Sequence, residues 1–127
     1  MFRVCEPAAM NDTFARAFNS RRIEALMSLY EADALLCADP SGATDIGVDA
    51  IRRSLAKLLE APGVMTSRNL FCLRHGDIAL LRADWILRAG DVVVASGSSA
   101  EIVRRQADGR WLYVIDHALG ASLPAPA

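Results

Sequence analysis

The spacing of apolar residues predicts helices in the first half of the chain. Over residues 10–18, 23–30 and 51–59, apolar side chains recur every three or four positions, which is the period that gives a helix one apolar face. Ser20, between the first two segments, is a candidate N-cap for the second, and Pro62 stops the third. We therefore expect a helical hairpin and, later in the chain, a third helix.

A short apolar segment and a turn separate the second and third predicted helices. Residues 34–38 are all apolar and few enough to form a buried strand. Asp39, Pro40 and Gly42 then occupy the first, second and fourth places of a four-residue turn, where a type I turn favours these residue types. The pattern predicts a strand that ends in a tight turn at Asp39.

From residue 64 onward the apolar pattern becomes that of long strands. Four strand-like segments lie at about 64–75, 78–89, 92–106 and 110–118. A pair of Gly and Asp residues separates each segment from the next, as is typical of the tight turns of antiparallel hairpins. Three N-terminal helices followed by this antiparallel meander predict an α+β fold in which the helices cover one face of the sheet.

The strands are too apolar for a sheet with one face in water. In a one-sided antiparallel sheet, apolar and polar residues alternate, but segments 78–81, 84–87 and 111–115 carry apolar residues at both parities. Helices can cover only one of the two faces. We expect the other face to pack against a second copy of the chain, giving a homodimer.

Length, composition and charge exclude several classes of protein. The chain has 127 residues, which fits a single domain, with residues 120–127 expected to be a frayed tail. Hydrophobic residues make up 53% and charged residues 23%, which excludes intrinsic disorder. Fourteen Lys+Arg against fifteen Asp+Glu leave a net charge of −1, so we expect neither nucleic acid nor a membrane surface as a partner.

Cysteine usage and sequence motifs give no sign of a cofactor. The three cysteines show no CxxC spacing, which indicates neither a disulfide framework nor a zinc site and fits a reducing cytoplasm. No run approaches the roughly 18 apolar residues of a membrane span, and no signal-peptide pattern occurs. Dinucleotide-binding, P-loop, zinc-protease and serine-hydrolase motifs are also missing. We expect a cytoplasmic protein that uses no metal or other cofactor.

Several short segments occur in a fixed order over residues 10–118. They are Leu29-Tyr30, Asp33-Ala34, Asp39-Pro40-Ser41-Gly42, Gly47, Ala50-Ile51-Arg52 and the hairpin 103–117. In this order they resemble the NTF2-like superfamily, in particular its SnoaL-like and ketosteroid-isomerase-like members. The resemblance implies a cone, in which a curved sheet and three helices enclose a pocket for a small, largely apolar ligand.

The resemblance also implies roles for particular residues. Asp39, just before Pro40, matches the catalytic aspartate of the ketosteroid isomerases, and Glu101 is nearest to their acidic hydrogen-bond donor. Phe14 stands where those enzymes have a tyrosine that stabilises the enolate oxygen. Because of this departure, the resemblance implies a proton-handling pocket without steroid-type dienol chemistry.

Two of the candidate carboxylates have structural alternatives. Asp39 is either a general base whose pKa an apolar pocket raises, or the first residue of a turn that hydrogen-bonds its own backbone. Glu101 is either a protonated donor inside the pocket, for which a ketosteroid isomerase is the precedent, or the partner of an arginine such as Arg82 on a neighbouring strand. The sequence leaves both pairs of alternatives open.

Asp116 is the third candidate carboxylate. Strand alternation places Asp116 and His117 on opposite faces of the sheet. By the resemblance, the even-numbered residues of 112–116 face the pocket, and the odd-numbered residues of 111–117, Tyr113 among them, face the second copy. We therefore expect Asp116, and not His117, to contact the pocket.

The sharpest hypothesis from the sequence is a cluster of three carboxyl groups. If Asp39, Glu101 and Asp116 share one pocket, desolvation and like-charge repulsion keep at least one of them protonated near neutral pH. An acid then lies beside a base. The residues expected to contact the ligand are Tyr30, Phe14, Leu55, Val103 and Val114.

These patterns predict a protein that binds a small apolar or amphipathic molecule. As an enzyme it would carry out cofactor-free acid–base chemistry on a carbonyl compound, as an isomerase, dehydratase or cyclase does, with Asp39 as base and Glu101 or Asp116 as donor. The alternative is a non-catalytic module that carries a ligand or docks another protein. Phe14 favours the alternative, whereas several carboxylates in one pocket favour the enzyme.

Overall fold

The computed structural model describes residues 2–122. Within them, the helices are α1 Met10–Asn19, α2 Ile23–Met27 and α3 Val48–Leu58, and a single 3₁₀ turn lies at Pro7–Ala9. The strands are β1 Tyr30–Cys37, β2 Asp45–Ile46, β3 Val64–His75, β4 Ile78–Ala89, β5 Val92–Arg105 and β6 Trp111–His117. The predicted α+β fold, with its helices ahead of a long-stranded sheet, is confirmed.

The described strands form one curved sheet in the order β2-β1-β6-β5-β4-β3. Neighbouring strands are antiparallel, except that β1 and β6 run parallel, with Leu36 opposite Asp116. The strand predicted at 34–38 overlaps the second half of β1. β1 begins earlier, at Tyr30, whereas the apolar spacing over 23–30 predicted that the second helix reaches this residue. The two-residue strand β2 was not predicted, because so short a segment carries no periodic pattern.

The four long strands begin and end within one residue of their predicted positions. Gly76 and Gly90 lie in two of the turns between them, each with a φ of 60°. Glycine adopts this conformation without the steric cost that a side chain would add. The antiparallel hairpins predicted from these turns are confirmed.

The predicted N-cap of the second helix is wrong. Ser20 is instead the C-cap of α1, and its hydroxyl donates to the carbonyl oxygen of Ala17 at 2.6 Å. The chain changes direction one residue later, at Arg21, which has a φ of 60°. Because the turn lies after Ser20, the residue that precedes α2 is Arg22, which forms no side-chain cap.

The apolar core lies between the helices and the inner face of the sheet. Helix α1 packs mainly on β3, and α2 packs on α3. On the inner face of β4, four apolar residues are almost completely buried, namely Ala79, Leu81, Ala83 and Leu87. The largest fully buried side chains include Met10, Phe18, Leu26, Ile51, Leu55, Leu81, Trp111 and Tyr113.

A bulge in β6 changes which of its side chains face the helices. The register with β5 skips Val114, which has no opposite residue. One extra residue reverses the alternation of side chains, so Tyr113 and Asp116 both lie on the inner face. The prediction that Tyr113 and Trp111 face a second copy is therefore wrong, and each is only 1% exposed in the core.

An apolar row crosses the outer face of the sheet. Each of the six described strands contributes one residue, and each residue lies opposite the next in the strand register. The row is open to solvent in the single chain, because its two end residues expose 64% and 66% of their surface. From β2 to β3, the outer row consists of Ile46, Leu35, Ile115, Ile102, Leu80 and Leu73.

The predicted frayed tail is only partly described. Residues 123–127 lie outside the described residues. The backbone N–H of Ala121 donates to the carbonyl oxygen of Ser98 at 3.0 Å, and the Ser122 hydroxyl accepts from the N–H of Ser98 at 3.0 Å. The segment 120–122 therefore continues along β5 beyond the end of β6.

Candidate functional site

A cavity of about 380 Å³ lies between α1, α3 and the inner face of the sheet. Its volume is within the range of small-molecule sites. Most of the wall is apolar, so the cavity suits a ligand with substantial apolar surface. The apolar lining residues are Phe14, Leu36, Ala38, Pro40, Leu55, Leu58, Met65, Trp85, Ala95, Tyr113, Ala118 and Leu119.

Two carboxyl groups meet at the polar end of the cavity. Glu101 on β5 and Asp116 on β6 lie directly opposite each other in the antiparallel register. Both line the cavity, and they expose only 3% and 7% of their surface. Side chains at opposite positions of an antiparallel pair are close neighbours, so the two carboxyl groups interact electrostatically.

Each of these carboxyl groups has a hydrogen-bond donor of its own. The side-chain amide of Asn11 donates to Glu101 Oε1 at 2.9 Å. The hydroxyl of Tyr30 donates to Asp116 Oδ2 at 2.5 Å. The hydroxyl of Tyr113 donates to Asn11 Oδ1 at 2.7 Å and so holds the amide in place.

The two carboxyl groups differ in proton affinity. Burial and the neighbouring charge of Asp116 raise the pKa of Glu101 to about 8, although hydrogen bonds from Ser99 and Asn11 oppose this rise. Burial raises the pKa of Asp116 to about 6, and the hydrogen bond from Tyr30 limits the rise. Near neutral pH, Glu101 is therefore protonated and Asp116 is ionised, which places an acid beside a base.

Burial also keeps both tyrosine hydroxyls protonated. The pKa values of Tyr30 and Tyr113 lie well above the ordinary value, first because both groups are buried and then because of the nearby carboxylate of Asp116. Their rings pack against each other with centroids 5.0 Å apart. Both hydroxyls therefore act as hydrogen-bond donors across the physiological pH range.

Comparison with known proteins identifies the family. Residues 12–114 match the sequence profile of the SnoaL-like domain. The chain belongs to the SnoaL-like family. The resemblance to NTF2-like and SnoaL-like proteins, read from the order of sequence segments, is thus confirmed.

Solved structures share the fold of this SnoaL-like domain. A candidate calcium/calmodulin-dependent protein kinase type II association domain from Thiobacillus denitrificans is 23% identical, covers 98% of this chain and 100% of its own, and has a TM-score of 0.80. An NTF-2 like protein of unknown function from Shewanella oneidensis is 20% identical, covers 83% and 88%, and has a TM-score of 0.70.

A third solved structure bears on the ketosteroid-isomerase resemblance. The ketosteroid isomerase-like protein from Erwinia carotovora atroseptica is 23% identical, covers 94% of this chain and 95% of its own, and has a TM-score of 0.68. None of the curated proteins matches the sequence. At these identities the solved structures show a shared NTF2-like fold.

Asp39 lies apart from the other two candidate carboxylates of the SnoaL-like domain. It is exposed in the turn after β1, where its carbonyl oxygen accepts from the N–H of Gly42 at 2.9 Å and its Oδ1 accepts from the N–H of Ser41 at 2.9 Å. The bond from the Ser41 backbone holds the pKa of Asp39 below its ordinary value. The structure thus shows the turn that was one of the two alternatives for Asp39. Its neighbours Ala38 and Pro40 line the cavity, whereas Asp39 itself does not.

The residues predicted to contact a ligand fall into three groups. Phe14 and Leu55 line the cavity. Tyr30 does not line the cavity, but its hydroxyl donates to Asp116 and its ring packs against Tyr113, both of which do. Val103 is completely buried in the core, and Val114 is the unpaired residue of the β6 bulge; neither belongs to the lining.

The structural alternative for Glu101 does not occur. Arg82 lies opposite Ala100, whereas Glu101 lies opposite Leu81. Because successive residues of a strand point to opposite faces, the side chains of Arg82 and Glu101 are on different sides of the sheet. Glu101 pairs instead with the neutral amide of Asn11.

Asn11 and Tyr113, which form the hydrogen-bond network around Glu101, were not predicted to line the cavity. Asn11 lies three and seven residues before Phe14 and Phe18, on the apolar stripe of α1, so a polar residue at a core position was the available signal. Tyr113 gave no such signal, because its inward orientation depends on the bulge at Val114. Strand alternation alone therefore assigns Tyr113 to the wrong face.

The described residues contain neither a metal-binding cluster nor a helix that could span a membrane. Among residues 2–122, no group of three His, Cys, Asp or Glu side chains is arranged to hold a metal ion. No helix of the described chain is long and apolar enough to cross a membrane.

Within the described lining of the cavity there is no Lys, Arg or His, so the polar end of the site carries only negative charge.

Proposed function

We propose that this SnoaL-like protein binds a small, uncharged and largely apolar carbonyl compound and moves a proton on it without a cofactor. The observation that carries the proposal is the pair of buried carboxyl groups with opposite protonation states at one end of an apolar cavity. Isomerisation, dehydration and cyclisation are the reaction types that such a pair supports. The fold, which is shared with a ketosteroid isomerase-like protein, is compatible with this chemistry.

The two carboxyl groups take different roles in the proposed reaction. Ionised Asp116 removes a proton from the carbon next to the carbonyl group; the C–H bond breaks, its electron pair forms the enolate, and an O–H bond forms on Asp116. Protonated Glu101 donates a hydrogen bond to the enolate oxygen, where negative charge develops. Asp116 then returns the proton to a different atom of the same molecule.

The charge of the cavity predicts which ligands it rejects. We expect 2-decalone, a neutral bicyclic ketone, to bind at pH 7 at least tenfold more tightly than decahydro-2-naphthoate, an anion of similar size. An anion would lie beside ionised Asp116 with no basic residue in the described lining to compensate it. Isothermal titration calorimetry measures both affinities, and tighter binding of the anion would contradict the proposed ligand class.

The proton-transfer step can be tested without the natural substrate. In D₂O, the protein should speed the exchange of the hydrogens next to the carbonyl group of 2-decalone, as followed by proton NMR. Asp116→Asn is expected to lower this rate by roughly 10²- to 10⁴-fold, which is the usual contribution of a positioned acid or base. Glu101→Gln should lower it less, because an amide still donates a hydrogen bond.

Asp39→Asn is the matched control for this experiment. The exposed carboxylate of Asp39 is turned toward its own backbone, so the exchange rate should stay within twofold of the wild type. Loss of exchange in Asp39→Asn together with normal exchange in Asp116→Asn would show that Asp39 is the base, as the family resemblance implies.

The second candidate function is non-catalytic binding of the same class of molecule. It is favoured by the short hydrogen bond from Tyr30, which occupies one oxygen of Asp116 and weakens it as a base. The partner carboxyl of Glu101 is likewise bonded to Asn11. Binding of 2-decalone with no acceleration of exchange would identify the protein as a carrier or sensor.

We also propose that the protein forms a homodimer through the outer row. In a single chain the outer row leaves a continuous apolar stripe in water, which is unusual for a monomer. A two-fold arrangement would bury this stripe against the same stripe of a second copy. The net charge of −1 is too small to oppose the association.

Sedimentation equilibrium tests the dimer. The wild type is expected at twice 13.7 kDa, and Leu80→Lys, in the middle of the row, should raise the dimer dissociation constant more than 100-fold, because an unpaired charge would be buried. Val92→Lys is the control, since Val92 is 64% exposed but lies outside the row. Equal effects of the two substitutions would contradict an interface on the outer row.

A further inference from the structure

A chain of hydrogen bonds links Glu101 to a backbone carbonyl group outside the cavity. The side-chain amide of Asn69 donates to the carbonyl oxygen of Phe71 at 3.0 Å, next to the bulge of β3. Asn69 Oδ1 accepts from Asn11 Nδ2 at 3.1 Å, and the same Nδ2 donates to Glu101 Oε1 at 2.9 Å. Asn11 Oδ1 accepts from the hydroxyl of Tyr113 at 2.7 Å.

The carbonyl group at the end of the chain fixes the direction of every bond in it. A carbonyl oxygen only accepts hydrogen bonds, so the NH₂ group of Asn69 must face Phe71 and its oxygen must face Asn11. An amide oxygen in turn requires a donor, so the NH₂ group of Asn11 faces Asn69 and Glu101. The bond from the Tyr113 hydroxyl to Asn11 Oδ1 fits the same orientation.

This direction determines which oxygen of Glu101 carries its proton. The NH₂ group of Asn11 donates to Oε1 and cannot accept, so Oε1 is the acceptor oxygen of the carboxyl group. We propose that Asn11 and Asn69 are positioning residues that hold the proton of Glu101 on Oε2, the oxygen that Asn11 leaves free. The inference rests on the proposed acid role of Glu101 and adds the residues that orient the acid.

Asn69 makes the proposal testable apart from ligand binding. Asn69 is half-buried and does not line the cavity, and it has no hydrogen bond to Glu101. The Tyr113 hydroxyl can serve the Asn11 amide in either orientation, because a hydroxyl both donates and accepts. Without Asn69, the amide can therefore turn over and present its oxygen to Glu101. An oxygen at that place stabilises the protonated acid and disfavours the carboxylate.

The experiment compares Asn11→Leu, Asn69→Leu and Asn19→Leu. Asn19 is the matched control, because it lies on the same helix and also bonds to β3, through the N–H and the carbonyl oxygen of Met65. Three quantities are measured for each variant: the pH midpoint of the Glu101 side-chain carboxyl ¹³C signal, the pH profile of hydrogen exchange in 2-decalone, and the melting temperature. The melting temperature reports the cost of losing a link between α1 and β3.

In Asn11→Leu, the Glu101 midpoint is expected to rise by about one pH unit, as loss of one hydrogen bond to a charged group implies. In Asn69→Leu, it should rise by a smaller but resolved amount, and the exchange rate at pH 7 should fall several-fold. Asn19→Leu should lower the melting temperature and leave the midpoint and the profile unchanged. If Asn11→Leu does not fold, the half-buried position 69 still provides the test.

An unchanged Glu101 midpoint in Asn69→Leu would overturn the positioning role, as would equal midpoint shifts in Asn69→Leu and Asn19→Leu. Failure of the proposed function has a different signature, since the wild type would then not accelerate exchange at any pH. In that case the shifts of the Glu101 midpoint still decide whether the two asparagines orient the acid.

Discussion

The free energy of unfolding is expected to fall by roughly 3 to 5 kcal/mol between pH 5 and pH 9, with Glu101 as the main cause. The pKa of Glu101 is about 8 in the folded protein, against an ordinary value of 4.5. Between these two values the folded state binds more protons than the unfolded state, so stability decreases as the pH rises. The pKa of Asp116, about 6 against 3.8, adds a loss in the lower part of the window. Urea unfolding at several pH values measures the slope.

Glu101→Gln removes the group that causes most of this loss. Its amide oxygen can still accept from Asn11, and it carries no proton that must be held or lost. We expect a flatter curve of stability against pH, with the variant at least as stable as the wild type at pH 9. Glu60→Gln, at an exposed glutamate after α3, is the control and should keep the wild-type slope. A wild-type stability that rises from pH 5 to pH 9 would be incompatible with a buried, protonated Glu101.

Leu81→Ala is expected to lower the free energy of unfolding by about 2 to 5 kcal/mol. Leu81 is completely buried on the inner face of β4, directly opposite Glu101. Its truncation leaves a cavity that the surrounding core cannot fully close. Because a domain of this size is stable by only about 5 to 15 kcal/mol, the variant should unfold at markedly lower urea concentration.

Leu70→Ala is the matched control for Leu81→Ala. Leu70 is 39% exposed, lies in β3 at the bulge, and belongs neither to the cavity lining nor to the outer row. The same substitution there should cost less than about 1 kcal/mol. Similar losses from the two substitutions would show that the inner and outer faces of the sheet are wrongly assigned.

The long strands and the helices were predictable because their signals are local. Turn residues between the strands set the hairpin ends, so β3 and β4 match their predicted bounds. The apolar period of α1 and α3 identified both helices, and the SnoaL-like profile confirms the resemblance read from the order of segments. Each of these features depends on residues that are close together in the sequence.

The candidate site was only partly predictable because it depends on distant contacts. The parallel pairing of β1 with β6 puts Tyr30 beside Tyr113 and lets its hydroxyl reach Asp116, 86 positions along the chain. The bulge at Val114 decides that Tyr113 faces the cavity, and strand alternation gives the opposite answer. Neither the pairing nor the bulge has a sequence pattern of its own.

Of the three predicted carboxylates, the sequence could bring together Glu101 and Asp116, but it could not decide the orientation of Asp39. Glu101 and Asp116 come together because β5 and β6 are neighbours in the hairpin, a relation that was readable from the turn between them. Asp39 could equally face the cavity or its own backbone, and the N–H of Ser41 at 2.9 Å shows the second orientation. A turn residue before proline carries the same sequence in both cases.

Glu101 and Asp116 are expected to hold one proton between them near neutral pH. A ¹³C NMR titration of the side-chain carboxyl signals, assigned with Glu101→Gln and Asp116→Asn, tests this directly. Two coupled transitions are expected, with apparent midpoints near 6 for Asp116 and near 8 for Glu101. Two signals that both titrate near pH 4, as exposed carboxyl groups do, would contradict it.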